Sequence, residues 1–402
     1  MVRSRSAKRA DGGWPMFANF EPSDVFNPEH YAAVRQPPDR AATLPGWCYT
    51  SQRFYERERE RIFFRYWNCI GHQSRVPERG SYFTLDYLGV PLVVVRGDDM
   101  VVRAFVNSCP HRGSEMAEGS GTCARIVCPY HNWAFRLDGA LYATPMWDDA
   151  PGFDKTRHGL RQIKLEVWAG LMWINFNPDS PSLLDDLGDL PERTAAWGAD
   201  SLVCVARSEY PMQANWKLFL ENFSDGLHVP FVHKTTLNRK YVSRRDFHDP
   251  AVNIGNYLMH YTRFEGTRGV PDGDKAFPEM DLPPEHKTGT FFPHIHANTS
   301  MGFAIDSVSA TEVHPLGPER SLLVTSFMVP KSTAEMPHFE EILGNYLANS
   351  RVVRDEDVLA CERQQKGLGS GIHVPGCFHP KDRLVYDYQN WILDHVLAND
   401  GA

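Results

Sequence analysis

The chain has 402 residues, 50 acidic and 42 basic side chains, a formal net charge of −8 and a 42% hydrophobic share. That charge balance disfavours nucleic acid and anionic lipid as partners, and no apolar run approaches the ~20 residues needed to span a bilayer. Eight cysteines, spread along the chain without a secretory leader, point to a reducing, cytoplasmic setting where close Cys/His groupings bind metal rather than pair as disulfides.

The length leaves room for two or three domains, and two are expected. The opening "MVRSRSAKRADGGWPMF" is basic with no apolar run behind it, so it reads as a mobile tail within a lead-in over residues 1–43. A first module, residues 44–180, begins with "SQRFYERERERIFFRYW", whose Phe and Ile fall at helical spacing. "SYFTLDYLGVPLVVVRGDDMVVRAFVN" and "EVWAGLMWINFNP" then alternate β-branched and aromatic residues between Gly and Asp breaks, as strands do. "NPDSPSLLDDLGDLP" has the Pro, Asp and Gly content of a boundary. Residues 181–402 would form the second unit: strands in "SLVCVARSEYPMQAN", a helical run from Trp216, strands from Ser300 to Pro330, and a long helix from Met336 to Gly367. Strands with long helices set between them suggest an α+β domain on an antiparallel sheet. Glu265 to Thr290 reads as a long loop.

Two clusters carry chemistry. Cys109-Pro-His111 and Cys128-Pro-Tyr-His131 each offer one thiol and one imidazole, with Cys123 between them. With 17 His in 402 residues, a His falls at a chosen offset from a Cys about 4% of the time, so two coincidences in one window are improbable. A common zinc arrangement takes two cysteines from one loop and two histidines from a later helix. One of each per loop suits a two-iron cluster in which one iron takes both thiolates and the other both imidazoles. Pro110 and Pro129 stiffen the loops and Gly113 relieves crowding at a bend. Cys123 is read as a small buried hydrophobe.

The second cluster lies in "NWKLFLENFSDGLHVPFVH". Asp225 and His228 would be neighbours on one helical face, and Pro230 would kink the run so that His233 returns beside them. Two histidines and one carboxylate with open positions form the facial set of non-haem Fe(II) oxygenases. Asp355, Glu356 and Asp357 on the long helix are all possible carboxylates, and a solvated face is the plain alternative for all three.

Cys-x-His, sixteen intervening residues and Cys-x-x-His, flanked by "NSCPHRGSEMAEG" and "CPYHNWAFRLDGAL", resemble the Rieske motif of Rieske non-haem iron oxygenases. The resemblance runs from "LPGWCYTSQRFYERERERIFFRYW" at Leu44 through the C-terminal helix, with both motifs in the family order. It implies an all-β Rieske [2Fe-2S] domain holding the cluster through Cys109, His111, Cys128 and His131. Behind it would come an α+β catalytic domain of helix-grip type holding mononuclear Fe(II) through His228, His233 and Asp357. The Asp-x4-Glu pattern from Asp357 to Glu362, continuing to Gln364, Gln365 and Gly367, selects Asp357 and leaves Asp355 and Glu356 as helix surface. Asp225 matches the family's connector acid, held to bridge a cluster histidine of one subunit to the iron histidine of its neighbour in a ring of three. A carboxylate there would also fix the His228 tautomer.

The implied activity is that of a terminal oxygenase, an enzyme using O2 and electrons from a separate reductase, with or without a ferredoxin. NAD(P)H would act only through that reductase, because this chain has no nucleotide fingerprint. The implied assembly is a homotrimer, or a trimer with small beta subunits. An electron-transfer protein is the alternative of another class, and it leaves the second cluster unexplained. For the small-molecule substrate, those of Tyr257, Tyr261, Phe264, Phe291, Phe292 and Phe303 that face the pocket rather than the core, the commoner place for each, suit an aromatic ring or, by cation–π attraction, a methylated ammonium. Arg239, Lys240, Arg244, Arg245, Arg263 and Arg268 could serve an aromatic acid; an aromatic ring, with or without a carboxylate, is the first expectation, and hydroxylation or N-demethylation of a quaternary ammonium or methylated amine is the alternative. "TGTFFPHIHANTSMGF" departs from the family's Tyr/Phe-Pro-Asn pattern at His294, and His260 and His296 are read as core residues.

Overall fold

The structure, a computed structural model, describes residues 20–147, 151–237, 252–253, 255–271 and 273–398. The basic opening stretch lies outside them, as do Arg239, Lys240, Arg244 and Arg245. No helix among the described residues is long and apolar enough to cross a membrane.

The first sheet is seven-stranded and antiparallel. Its strands are β1 (Asn68–His72), β2 (Ser81–Tyr87), β3 (Val90–Arg96), β4 (Val102–Val106), β5 (Ser120–Thr122), β9 (Gln162–Trp168) and β10 (Leu171–Asn175), in the order β1-β10-β9-β4-β3-β2-β5. Strand β3 is apolar on both faces because both are covered. Leu92 and Val94 join the main core, whereas Val93 and Val95 pack with Phe105, Trp133 and Phe135 beneath the Cys/His loops. A small sheet of β6 (Ile126–Val127), β7 (Ala134–Phe135) and β8 (Leu141–Ala143) carries the second of those loops.

The stretch read as a bare boundary is packed. Ser182 caps a helix at Leu183–Leu187, accepting from the Asp185 N–H, and Leu190–Arg193 forms another turn. Leu183, Leu187 and Leu190 bury against Trp168, Trp173 and Trp197, so leucine spacing outweighs the Pro/Gly composition. The Glu265–Thr290 loop is likewise packed: Val270, Phe277 and Leu282 are buried, and Phe277 stacks on Tyr346 with centroids 4.5 Å apart.

The second sheet is also antiparallel and seven-stranded: β11 (Val203–Met212), β12 (Val252–Asn253), β13 (Tyr257–Arg263), β14 (Gly289–Ile295), β15 (Thr299–Phe303), β16 (Val308–Gly317) and β17 (Arg320–Val329), in the order β11-β17-β16-β15-β14-β13-β12. Between β11 and β12 the chain leaves the sheet for helix Trp216–Ser224, where the second cluster begins. Asn215 caps this helix by accepting from the Lys217 N–H, and its own N–H donates to Gln365 on the long helix Phe339–Leu368. The long helix buries Ile342, Leu343 and Tyr346 against Val329 and Phe327 of the sheet, which grips it. Residues 20–43 also contribute: Val25, Tyr31 and Val34 are buried in the same core as Leu384, Tyr388 and Ile392 of the C-terminal helix Arg383–Val396.

Candidate metal centres

The two Cys/His loops are built alike. The Cys109 N–H donates to Ser114 O and the Gly113 N–H returns to Cys109 O, both at 2.8 Å. In the other loop the Cys128 N–H donates to Trp133 O at 2.8 Å and the Asn132 N–H returns to Cys128 O at 3.0 Å. Each turn closes on a left-handed residue four positions after its cysteine, Gly113 at φ 77° and Asn132 at φ 57°. Glycine and asparagine are among the residues that adopt this conformation most cheaply. Cys109 and Cys128 are buried, whereas His111 and His131 sit half-exposed with ring centroids 4.6 Å apart. His111 is fixed by stacking on Trp133 at 4.8 Å, and the Arg112 guanidinium lies 2.8 Å from His131 Nε2.

Burial alone would push the Cys128 thiol up, but the backbone N–H groups of Tyr130 and His131 outweigh it and bring the thiol below its usual range. At Cys109 burial prevails and raises the thiol, although the His111 and Arg112 N–H groups act in the opposite direction. Two sulfurs inside, each facing N–H groups of its own loop, and two imidazoles at the rim fit a two-iron cluster with chemically distinct irons. Cys123 is half-buried at the edge of this core, outside the pattern.

At the second centre the helix ends sooner than its sequence suggests. It stops at Ser224, and Asp225 is extended (φ −100°, ψ 123°), so Asp225 and His228 do not share a helical face. His228 instead opens a single turn, Val229–Val232, with Pro230 in the first turn, and His233 closes it. That turn returns His233 to His228, with ring centroids 5.3 Å apart. His233 Nε2 lies 2.9 Å and His228 Nε2 3.7 Å from Asp357 Oδ1, and the three ligand atoms fall within 4.8 Å of one another.

Asp357 Oδ1 and His228 Nδ1 are buried without a properly directed hydrogen bond. The 2.9 Å contact is close but does not satisfy the oxygen, which is the condition of a carboxylate shaped for a cation at the convergence point. Burial would raise the Asp357 carboxyl, but His233, Arg354 and His228 outweigh it and hold it below the carboxylate range. Burial would likewise lower His233, but Asp357 and Glu356 raise it.

Glu356 corrects an expectation. It is not helix surface: its Oε2 takes the His233 Nδ1 contact at 2.7 Å and accepts from the Thr236 hydroxyl at 2.7 Å. Asp225 Oδ2 sits 3.3 Å from His228 Nδ1, while its Oδ1 accepts from the Leu227 N–H. Each imidazole thus has a carboxylate on the nitrogen turned away from Asp357, an arrangement that orients metal-binding histidines. Asp355 is exposed. Glu356→Gln is expected to weaken iron retention roughly 10- to 100-fold, read as faster release to a chelator with an unchanged cluster spectrum. Unchanged retention would reduce Glu356 to a bystander.

A cavity of about 180 Å³ opens on the three convergent residues and is walled by Phe219, Phe223, Phe292 and His260. Of the aromatics anticipated for the pocket, Phe292 lines it, whereas Tyr257 and Phe303 belong to the core. His260, expected in the core, faces the cavity and stacks on Phe292 at 5.2 Å. His294 and His296 are fully buried elsewhere. Ser224 engages His294 Nδ1 at 2.9 Å, and burial pushes this imidazole down to about 3. Arg268 borders the cavity and Arg263 is exposed. Arg354, three residues before Asp357 on the long helix, was not anticipated; its i, i+3 spacing to Asp357 was the available signal.

Residues 66–154 match the family described as Rieske [2Fe-2S] domain, and residues 199–398 match the ring hydroxylating alpha subunit catalytic domain. The chloroplastic choline monooxygenase of Spinacia oleracea is 29% identical over 393 residues, covering 94% of this chain and 84% of that protein. The carnitine monooxygenase oxygenase subunit of Escherichia coli (strain K12) is 35% identical over 219 residues, 54% of this chain and 58% of that protein. A solved quaternary ammonium Rieske monooxygenase in complex with its substrate gamma-butyrobetaine has TM-score 0.74 and 26% identity, covering 91% of this chain and 98% of that one. Naphthalene 1,2-dioxygenase from Rhodococcus sp. matches at TM-score 0.74 with 20% identity over 92% of this chain and 99% of that one, a likeness of fold.

Proposed function

We propose, from the premise that this chain belongs to the Rieske non-haem iron oxygenases as a terminal oxygenase alpha subunit, that its substrate is a quaternary ammonium or methylated amine. A Rieske [2Fe-2S] cluster and mononuclear iron are its cofactors and O2 its co-substrate, and alpha subunits of this kind work with a reductase and in oligomers. The observation that carries the substrate reading is the similarity to choline and carnitine monooxygenases together with the aromatic wall of the cavity. The first expectation, an aromatic ring, gives way to the amine, because the likeness to naphthalene dioxygenase extends to the fold alone.

In this reading Cys109, His111, Cys128 and His131 hold the cluster, and His228, His233 and Asp357 hold the iron. Once bound, the iron supplies dioxygen binding and reduction, with further electrons relayed through the cluster. Hydroxylation consumes O2, two electrons and two protons, places one oxygen on carbon and releases the other as water. Phe223 and Phe292, with centroids 5.7 Å apart, and His260 offer ring surfaces that attract a methylated ammonium and exclude water around it. Glu356 holds the His233 imidazole in orientation, and Asp225 places a negative charge beside the His228 imidazole. Asp225 borders both the iron cavity and a second cavity formed with His373, Cys377 and Asp382. That placement suits a connector reaching the half-exposed His111 and His131 of a neighbouring subunit, which is the reason to favour a homotrimer. A ferredoxin between reductase and cluster, or small beta subunits, would be additions to this core.

The test is turnover of a panel of methylated amines and aromatic acids by the purified holoenzyme with a surrogate reductase, scored as product formed. Hydroxylated or dealkylated amine, stoichiometric with O2, is the expected result. Product from an aromatic acid alone would overturn the reading.

A further inference from the structure

The cavity beside the convergent residues continues into a second chamber of about 210 Å³ beneath the long helix, bordered by Phe327, Tyr346 and Asn349. Arg268, Phe292, Val353 and Arg354 border both chambers, so they form a waist. Among the described residues the second chamber is lined by two guanidinium groups, several hydroxyls and no carboxylate.

Arg354 is the more informative of the two cations. Its plane lies over Phe219, with Cζ 4.6 Å from the ring centroid, and Nη2 donates to Thr311 Oγ1 at 3.2 Å. Nε is buried with no hydrogen-bond partner among the described residues. Nη1 is 4.0 Å from Asp357 Oδ2, close enough for attraction and too far for a hydrogen bond. Asp357 is also the carboxylate committed to the metal. A guanidinium has five N–H donors in a rigid fork, and leaving most of them unmade away from water is costly. A carboxylate is the group that satisfies such a fork two bonds at a time.

We infer that Arg354 docks a carboxylate on the substrate, so that the substrate is a zwitterion with a quaternary ammonium at one end and a carboxylate at the other. This rests on the quaternary ammonium reading above and narrows it. An amino alcohol such as choline brings net positive charge to a waist already bearing Arg354 and Arg268, and its single hydroxyl lacks the charge and the paired oxygens that fill the Arg354 fork. A zwitterion places its carboxylate at the waist and its ammonium against Phe223 on the iron side of it, with the chain between them near the iron.

The experiment compares gamma-butyrobetaine, carnitine, the methyl ester of gamma-butyrobetaine, choline and benzoate as substrates for wild-type holoenzyme, Arg354→Lys and Arg354→Met. Wild type is expected to favour the two zwitterions, with the ester and choline poor. Arg354→Met should raise KM for the zwitterions roughly 10- to 100-fold, the loss for a charge-assisted hydrogen bond, and change KM for ester and choline far less. Arg354→Lys should recover part of the loss. Substrate dissociation constants, read from perturbation of the ferrous nitrosyl paramagnetic resonance spectrum, should move with KM, whereas a purely structural role would move every substrate alike. Should the Arg354 variants not fold, Arg268→Gln across the waist is expected to show the same selectivity for the zwitterions. Choline turned over as well as the zwitterions, with Arg354→Met changing neither, overturns the inference and leaves the ammonium reading intact. Product from benzoate and from neither ammonium class overturns that reading and this inference with it.

Discussion

Asp357→Ala is expected to leave a coloured protein with about two irons per chain in place of about three and coupled turnover reduced on the order of 1,000-fold or more, since dioxygen has no other centre to react at. The argument is geometric. His228 and His233 come from one short turn, but Asp357 arrives from the long helix, more than a hundred residues away, and its Oδ1 lies 3.7 and 2.9 Å from their Nε2 atoms. Without it two imidazoles face an uncharged gap, and the cation loses both a ligand and the only carboxylate among the three convergent side chains. Iron analysis against the cluster's visible and paramagnetic resonance signals separates the two centres. Loss of the cluster signal along with the iron would mean that the substitution disrupted the fold rather than the site. Retention of the third iron and of activity would remove Asp357 from the centre.

The largest expected effect on stability lies elsewhere, at Lys217→Met. Lys217 and Glu58 are both fully buried, with Nζ 2.6 Å from Glu58 Oε1, and Trp216 Nε1 donates to the other oxygen at 2.9 Å. Lys217 also lies 5.0 to 5.5 Å from the ring centroids of Tyr49, Phe54 and Trp216. Burial pushes the Glu58 carboxyl up even with the ammonium against it, so the charge is tolerated there only because it is paired. Removing the ammonium strands a carboxylate in the core and is expected to cost about 3–5 kcal/mol, read from chemical denaturation. The double variant Glu58→Leu with Lys217→Met should recover part of that, because it removes both charges and leaves only the Trp216 Nε1 donor without its acceptor. A single-variant loss below ~1 kcal/mol would mean the pair behaves like an exposed one. The pair anchors the first turn of the helix that carries Phe219 and Phe223 to the cavity and ends at Ser224, just before Asp225, so it connects stability to the site.

The sequence carries the cluster loops almost completely, because their chemistry is local. Cys-x-His and Cys-x-x-His each fit within one turn, and spacing alone says that each loop brings one thiol and one imidazole. The strands legible as alternation, such as β2, and the long helix, expected over 336–367 and found over 339–368, follow the same rule. Their periodicity records a face that must be buried. Where the reading failed, the deciding contact was distant in sequence. Helix Trp216–Ser224 ends before Asp225, so the helical spacing of Asp225 and His228 misled. Glu356 looked like one of three adjacent acids until the long helix set it against His233, 123 residues away.

What the sequence by itself determined is therefore which thiol, imidazole and carboxylate side chains stand close along the chain, their order and the elements that carry them, each fixed by covalent neighbours and short-range periodicity. Only the tertiary structure decided which carboxylate meets which imidazole, and only it placed Arg354 with an unsatisfied guanidinium at the waist of the cavity. The physical reason is that a buried charge is defined by what surrounds it, and those surroundings come from strands and helices that the chain brings together from far apart.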